Sequence, residues 1–289
     1  MGLRTSLARA ISKLLLQNKK TRREILRNLY ENDVLLYRRL ADHCLIYYPH
    51  DVIGESISAR GEFSRTSVRK LRDFLKRSDH PISDGSVLEI GANIGTHTLY
   101  FFKDIKARHV VAVEPDPENY EILSQNIKLN GLEDYVSLIK LGASNKHGQL
   151  PFNKNALNRG GSHFGGSSES AINVDVTTVD EIFKANQKKL QDLKLIWIDV
   201  EGHELQVLEG AQETIQTQKP TVFMEYTPHA DQFRNARLGD ILFKNFEAVF
   251  DFGNLNESLT PETFGKISSA TDLLAIHTGN TEQSNYLRT

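Results

Sequence analysis

The stretch Val87-Leu88-Glu89-Ile90-Gly91-Ala92-Asn93-Ile94-Gly95-Thr96-His97-Thr98 passes from an apolar run through two glycines into a segment with helical patterning. Residues 87–90 read as a buried strand, the glycines as a tight turn, and the residues after them as the start of a helix. Gly91 and Gly95 let the backbone turn sharply and let a ligand approach without Cβ interference, while free amides at the helix start offer donors. A dinucleotide fold would show Gly-x-Gly-x-x-Gly. Here the order is Glu-x-Gly-x-Asn-x-Gly, which argues against NAD.

Moving outward, the next apolar run, 109–113, ends at Glu114. A carboxylate at that strand end can accept both hydroxyls of a ribose, which suits an adenosine-type ligand; the plainer alternative is a turn followed by a solvated strand end. Further short β-rich runs at 136–141, 195–198, 222–224, 248–250 and 273–276 alternate with helical stretches. Such alternation implies βαβ crossovers, hence an α/β fold with a mainly parallel seven-stranded sheet covered by helices on both faces. Asp116 and Pro117 can open a helix that Gly131 closes, and Thr178 with Glu181 can cap another.

The chain has 289 residues and a formal net charge of −2, which gives no general attraction to nucleic acid. Residues 1–80 read as a helical amino-terminal extension, with apolar periodicity at 25–40 and 68–75, and residues 81–289 as the ligand-binding domain. The extension is locally basic. Leu3, Leu7, Ala10, Ile11, Leu14 and Leu15 fall on one stripe of a helix that could rest on an anionic membrane, on its own domain or on a second subunit of a homo-oligomer. Met1-Gly2-Leu3-Arg4-Thr5-Ser6 fits the loose pattern for myristate at Gly2. The one cysteine, Cys44, excludes an intramolecular disulfide, no run is long enough to cross a bilayer, and a cytoplasmic setting fits.

Several pieces together resemble the FkbM family of S-adenosylmethionine-dependent methyltransferases: Arg60-Gly61-Glu62-Phe63, the Glu89-to-Thr98 loop, Val113-Glu114-Pro115, Gly142-Ala143-Ser144, Asn158-Arg159-Gly160-Gly161-Ser162 and Ile198-Asp199-Val200-Glu201-Gly202-His203-Glu204. The resemblance covers roughly residues 51 to 276. It implies a class I, Rossmann-like methyltransferase fold and S-adenosylmethionine as cofactor. It further implies cofactor contacts from Glu62, Glu89, Gly91, Asn93, Gly95, Thr98, Glu114, Ala143 and Ser144, and an acceptor that is a hydroxyl on a sugar, glycan or other metabolite. The basic stretch before residue 50 lies outside the shared pattern.

Methyl transfer to an alcohol needs an aligned acceptor and somewhere for its proton to go. Asp199, Glu201, His203 and Glu204 follow the strand 195–198 at the edge where ligands sit in open parallel sheets, and Glu225 ends the next strand at the same edge. Asp199, His203 and Glu225 are therefore the candidate catalytic residues. His203 can be a base or merely open a helix, and Glu201 and Glu204 can simply favour that helix's positive end. Mg²⁺ is possible on such carboxylates but is not the favoured reading, so no metal ligand is assigned. The polar stretch 149–170 is long for a connection, with Asn158 and Ser162 as candidate acceptor contacts. Trp197 reads as core. The alternative from another class is a binding or scaffolding protein that keeps the fold and acts through its basic amino-terminal helix.

Overall fold

The computed structural model of the chain describes residues 34–155, 161–164 and 171–277, together with Asn18, Thr21, Glu24, Ile25 and Asn28. The apolar stripe from Leu3 to Leu15, on which the membrane and scaffold readings rest, lies outside the described residues, and so does Asn158. No helix among the described residues is long and apolar enough to cross a membrane.

The helical extension expected over 1–80 is corrected in its second half. Thr21, Glu24, Ile25 and Asn28 are helical, but Leu36–Arg39 is a strand (β1) paired antiparallel with Cys44–Tyr47 (β2). In β2 burial alternates, with Leu45 and Tyr47 inward, and this period of two prevails over the helical period that the short apolar run also fits. Two helices follow, Val52–Arg60 (α1) and Arg65–Arg77 (α2). Asp51 caps α1 by accepting from the Gly54 amide, and Gly61 ends it in the left-handed conformation. Leu45, Ile57, Val68 and Leu71 share one buried cluster with Val87 and Val110 of the central sheet, so residues 36–77 help build the domain expected to start at 81.

The decisive stretch folds as expected into Ser86–Ile90 (β3), the glycine turn and Thr96–Tyr100 (α3), which runs on into a π-helical turn at Phe101–Ile105. His109–Val113 (β4), Pro117–Leu129 (α4) and Val136–Ile139 (β5) continue the alternation. Asp116 accepts from the Glu118 amide at the start of α4. The polar stretch then departs from a plain connection: Gly142–Ser144 (β6), Gly148–Asn153 (β7), His163–Phe164 (β8) and Ala171–Thr178 (β9) form a separate four-stranded sheet. Phe152, Val174 and Val176 give it a small core of its own.

The chain returns through Val179–Ala185 (α5), Leu193–Ile198 (β10), Glu204–Glu209 (α6), Gln212–Gln218 (α7), Thr221–Tyr226 (β11), Gln232–Asn245 (α8), Ala248–Asp251 (β12), Pro261–Phe264 (α9) and Thr271–Ile276 (β13). The central sheet runs β12-β13-β11-β10-β3-β4-β5, and all seven runs read as strands lie in it. It is mixed, because β13 is antiparallel to both its neighbours while the other ladders are parallel. Alternate residues bury on opposite faces, Val87, Val110 and Leu195 on one and Leu88, Val111 and Ile196 on the other. After β5 the chain crosses back to pair β10 with β3. That reversal opens a crevice at the carboxyl ends of β3, β4 and β10, where ligands of open α/β sheets sit.

Candidate active site

The crevice begins with backbone geometry. Gly91 and Gly95 both have φ of 87°, and Asn93, with φ of 51°, takes the left-handed conformation that asparagine tolerates. A Cβ on Gly91 would stand 1.8 Å from the Asp199 carbonyl oxygen, so glycine is what lets β3 and β10 close together there. The Gly91 amide donates to Val113 and the Asp199 amide to Ile90, tying three strand ends to one another.

Glu114 lines the crevice and is only 4% exposed. Its two oxygens accept from the amides of Asn93 (2.7 Å) and Asp116 (2.9 Å). Burial pushes its pKa up to about 7 against the pull of those amides. A carboxylate has about four acceptor sites, so it keeps capacity for hydroxyl donors. Beside it stands Asn119, 1% exposed, whose side chain bonds Glu114 and whose Oδ1 is buried without a partner in the wall of the same crevice. Nothing in the sequence pattern singled out Asn119. Its position in the first turn of α4, five residues after Glu114, is the signal that was available.

The other expected cofactor residues divide into those that face the crevice and those that brace it. Gly91, Asn93 and Ala143 line it, together with Val52, Phe63 and Gly142, while Glu62, Glu89, Gly95, Thr98 and Ser144 do not. Glu89 is fully buried under the turn, where it accepts from the Thr98 hydroxyl, and burial raises its pKa to about 8. Gly95 packs on α4, where a Cβ would come within 2.6 Å of Leu123. Glu62 meets the Ser56 hydroxyl through its backbone carbonyl, and it is the next residue, Phe63, that reaches the crevice.

The candidate catalytic residues divide similarly. Asp199 and Glu225 line the crevice with Glu201, and one carboxylate oxygen from each lies within 4.8 Å of the others. Burial, then Glu225 and Glu201, push the Asp199 pKa well above the ordinary carboxylate range, and burial followed by Glu225 raises Glu201 to about 7. Such a cluster can take up protons near neutrality, and its oxygen-only donor set could also hold a divalent cation. His203 does not line the crevice. Its Nε2 bonds Ser144 Oγ at 3.0 Å, its ring lies 4.7 Å from Phe164, and burial lowers its pKa to about 4. Glu204 accepts from the Gly202 amide, a capping role. Ser162 lines the crevice and accepts from the Asn155 amide. Asp272 was not foreseen: it stands opposite Glu225 in the β11–β13 register, and burial raises its pKa to about 6.

Fold and crevice together define an α/β protein with a glycine turn and the buried Glu114 at the ends of β3 and β4 and a carboxylate cluster at the ends of β10 and β11. The methyltransferase FkbM domain model matches residues 89–262, and the chain belongs to that family. Among curated proteins it is 28% identical to methyltransferase sdnD of Sordaria araneosa over 45% of this chain and 62% of that protein. It is likewise 28% identical to hexuronic acid methyltransferase AglP of Haloferax volcanii over 46% of this chain and 53% of that one. The 2-O-methyltransferase NoeI of Sinorhizobium fredii matches at 23% over 56% and 70%. The chain thus spans about three fifths and about half of the first two relatives. A solved structure, methyltransferase FkbM from Methylobacillus flagellatus KT, aligns at 19% identity with a TM-score of 0.43, covering 67% of this chain and 44% of that one.

Proposed function

We propose that the chain is an S-adenosylmethionine-dependent O-methyltransferase whose acceptor is a hydroxyl of a sugar, glycan or secondary metabolite. The observation that carries this reading is one crevice with a nucleoside cradle at one end, Glu114 with Asn119, and proton-accepting carboxylates at the other, Asp199 with Glu225. The unpartnered Asn119 Oδ1 and the spare acceptor capacity of Glu114 fit the hydroxyl and amino donors of an adenosine. AglP and NoeI, named for a hexuronic acid and for a 2-O position, support an oxygen acceptor.

When bound, S-adenosylmethionine supplies a methyl group on a positively charged sulfur. The chain's part is alignment and proton removal. Glu114 and Asn119 hold the ribose side, Gly91 and Asn93 shape the backbone beneath it, and Asp199 receives the proton of the attacking hydroxyl. Transfer to that oxygen would leave the cofactor as a neutral thioether, so the proton accepted by Asp199 would be the one that the chain itself must take up. A carboxylate whose proton affinity burial has raised well above the ordinary range is matched to a hydroxyl that grows more acidic as it attacks. Glu225 and Glu201 keep the proton affinity of Asp199 high, and the Ser144–His203 pair braces the wall from behind.

Calorimetric titration with S-adenosylhomocysteine and with NAD tests the cradle. Selective binding of the adenosyl ligand, weakened at least tenfold in Glu114→Ala, is the expected result. A folded protein that binds neither ligand overturns the reading.

A further inference from the structure

The small sheet runs β6-β9-β7-β8, and no ladder joins any of these strands to the central seven. Its own packing makes it one unit. Phe152 and Phe164 meet edge to face at 5.1 Å, and Phe164 lies so close on Gly142 that a Cβ there would stand 2.4 Å from the ring. Gly142, Ala143, Phe152 and Phe164 of this unit line the same crevice as Glu114 and Asn119. The β6 edge is anchored: it packs on α6, and a Cβ on Gly210 would stand 2.0 Å from the Ser144 carbonyl oxygen. β7 and β8 lie at the other edge. There Lys154, the residue after β7, places its Nζ 2.7 Å from Glu118 Oε1 and 3.3 Å from Asp116 Oδ1, the first turn and the N-cap of α4. Among the described residues, these are the ion pairs that join the small sheet to the rest of the chain.

We propose that Lys154 is a positioning residue of the donor site: it holds the outer edge of the small sheet on α4, so that the wall this sheet gives the crevice keeps a fixed spacing from Glu114 and Asn119 around a bound nucleoside. The proposal rests on reading the crevice as the methyl-donor site. Lys154 does not line the crevice, so it acts through the two elements it joins. Three observations carry this role. A cation at the positive end of a helix is unfavourable by itself, so helix electrostatics do not account for the placement, and the two carboxylates do. Asp116 is 1% exposed, which spares its pair much of the screening that weakens surface ion pairs. Finally, the bridged segment is the one that presents the cradle: the Asp116 amide donates to Glu114 Oε1, and Asn119 follows Glu118 directly. A wall free to drift from α4 would have to be ordered by the ligand at a cost in affinity, and the bridge removes that cost beforehand. An ion pair that merely stabilised the fold would change the melting temperature and leave affinity alone.

The test is calorimetric titration of the full chain with S-adenosylhomocysteine, beside thermal melting without ligand. Lys154→Met should weaken binding about fivefold, near the upper end for a partly exposed pair. Lys154→Arg, which can bridge the same two carboxylates, should bring affinity back to within about twofold of the parent. Removing the cation leaves Asp116 buried and unpaired, so the methionine variant should also melt lower. Two further measurements separate the role from folding and stand even if that variant does not fold. Glu118→Gln removes only the half-exposed partner and should weaken binding about twofold; in its background Lys154→Met should cost less than in the parent, because both changes break one contact. In the unaltered chain, affinity should fall by a similar factor as salt rises from about 50 mM to about 1 M, and Glu118→Gln should show a shallower dependence. Equal affinity in the parent and the methionine variant overturns the proposal, as does a loss that arginine does not restore or a salt dependence that Glu118→Gln leaves unchanged. A folded parent chain that binds no S-adenosylhomocysteine at all overturns the donor reading, and this proposal with it.

Discussion

At the scale of single residues, the two buried glutamates around the glycine turn, one lining the crevice and one beneath it, have opposite uses for their charge. Glu114 must be ionised to accept from a ribose, and burial has raised its pKa to about 7. Affinity for S-adenosylhomocysteine should therefore improve by about tenfold between pH 6 and pH 8, the change in ionised fraction for one group of that pKa. Glu114→Gln should flatten the profile, and a flat profile in the unaltered chain would remove Glu114 from the cradle. Glu89 binds no ligand in this reading, and its charge acts on stability alone. Its folded pKa of about 8 lies above the ordinary 4.5, so between those values the folded chain holds a proton the unfolded chain has lost. Stability from this group is present below pH 4.5 and is lost as pH rises through 8. Glu89→Gln removes that loss, so its advantage over the parent should grow from pH 5 to pH 8.5 by up to a few kcal/mol, at about 1.4 kcal/mol per pKa unit. Urea unfolding at the two pH values measures it. His97, lowered to about 4 by burial, acts with the opposite sign between about 4 and 6.5, but it is common to both chains and cancels in the comparison.

At the scale of elements, the contrast lies between what neighbouring residues determine and what distant ones do. Strands β3 to β5, β10 to β13 and the capped helices α4 and α5 were legible because their signals are local: β-rich runs, Asp116-Pro117, Thr178, and glycines where φ is positive. The hairpin was not. Its outer edge is held by Asn126 of α4, which exchanges hydrogen bonds with the backbone of Ile46, and by Asn130, the C-cap of α4, which does so with that of Cys44. These partners lie 80 and 86 positions away in the chain, where no local periodicity reaches. They also protect a strand edge that would otherwise offer its unpaired groups to another chain. Asp272 and Asn119 escaped for a related reason: the first needs the β11–β13 register and the second needs the helix to be docked. That the loop, Glu114, Asp199 and Glu225 come to one crevice was legible because strand ends announce themselves, whereas which side chains face inward and which brace from behind depends on packing. Asn126 also donates to the Ile94 carbonyl in the binding loop, so Asn126→Leu strands polar groups on both elements. The expected loss is about 2–5 kcal/mol, since each unsatisfied buried group costs roughly 1–3 kcal/mol. Denaturant titration checks it; a loss below about 1 kcal/mol would mean the clamp is not made in solution.

At the scale of the whole molecule, the question is where the ligand-binding unit begins. A helical extension ending near residue 80 would be removable without harm, but Leu45, Tyr47 and Tyr48 are 0%, 3% and 7% exposed and pack in the same cluster as the central sheet. Fully burying one large apolar side chain is worth about 1.5–3 kcal/mol, so these three hold roughly 5–9 kcal/mol. That is comparable to the total stability of an ordinary domain, about 5–15 kcal/mol. Two truncations separate the alternatives. A chain starting at Leu35 retains every core residue named here and should bind S-adenosylhomocysteine with unchanged affinity and a cooperative thermal transition. A chain starting at Val52 loses the hairpin and the Asp51 cap of α1, and it uncovers apolar surface on α4, so it should lack a cooperative transition or aggregate. If that shorter chain instead folds and binds as the longer one does, the hairpin is an appendage rather than part of the core, and the domain begins where the glycine loop's own strand does.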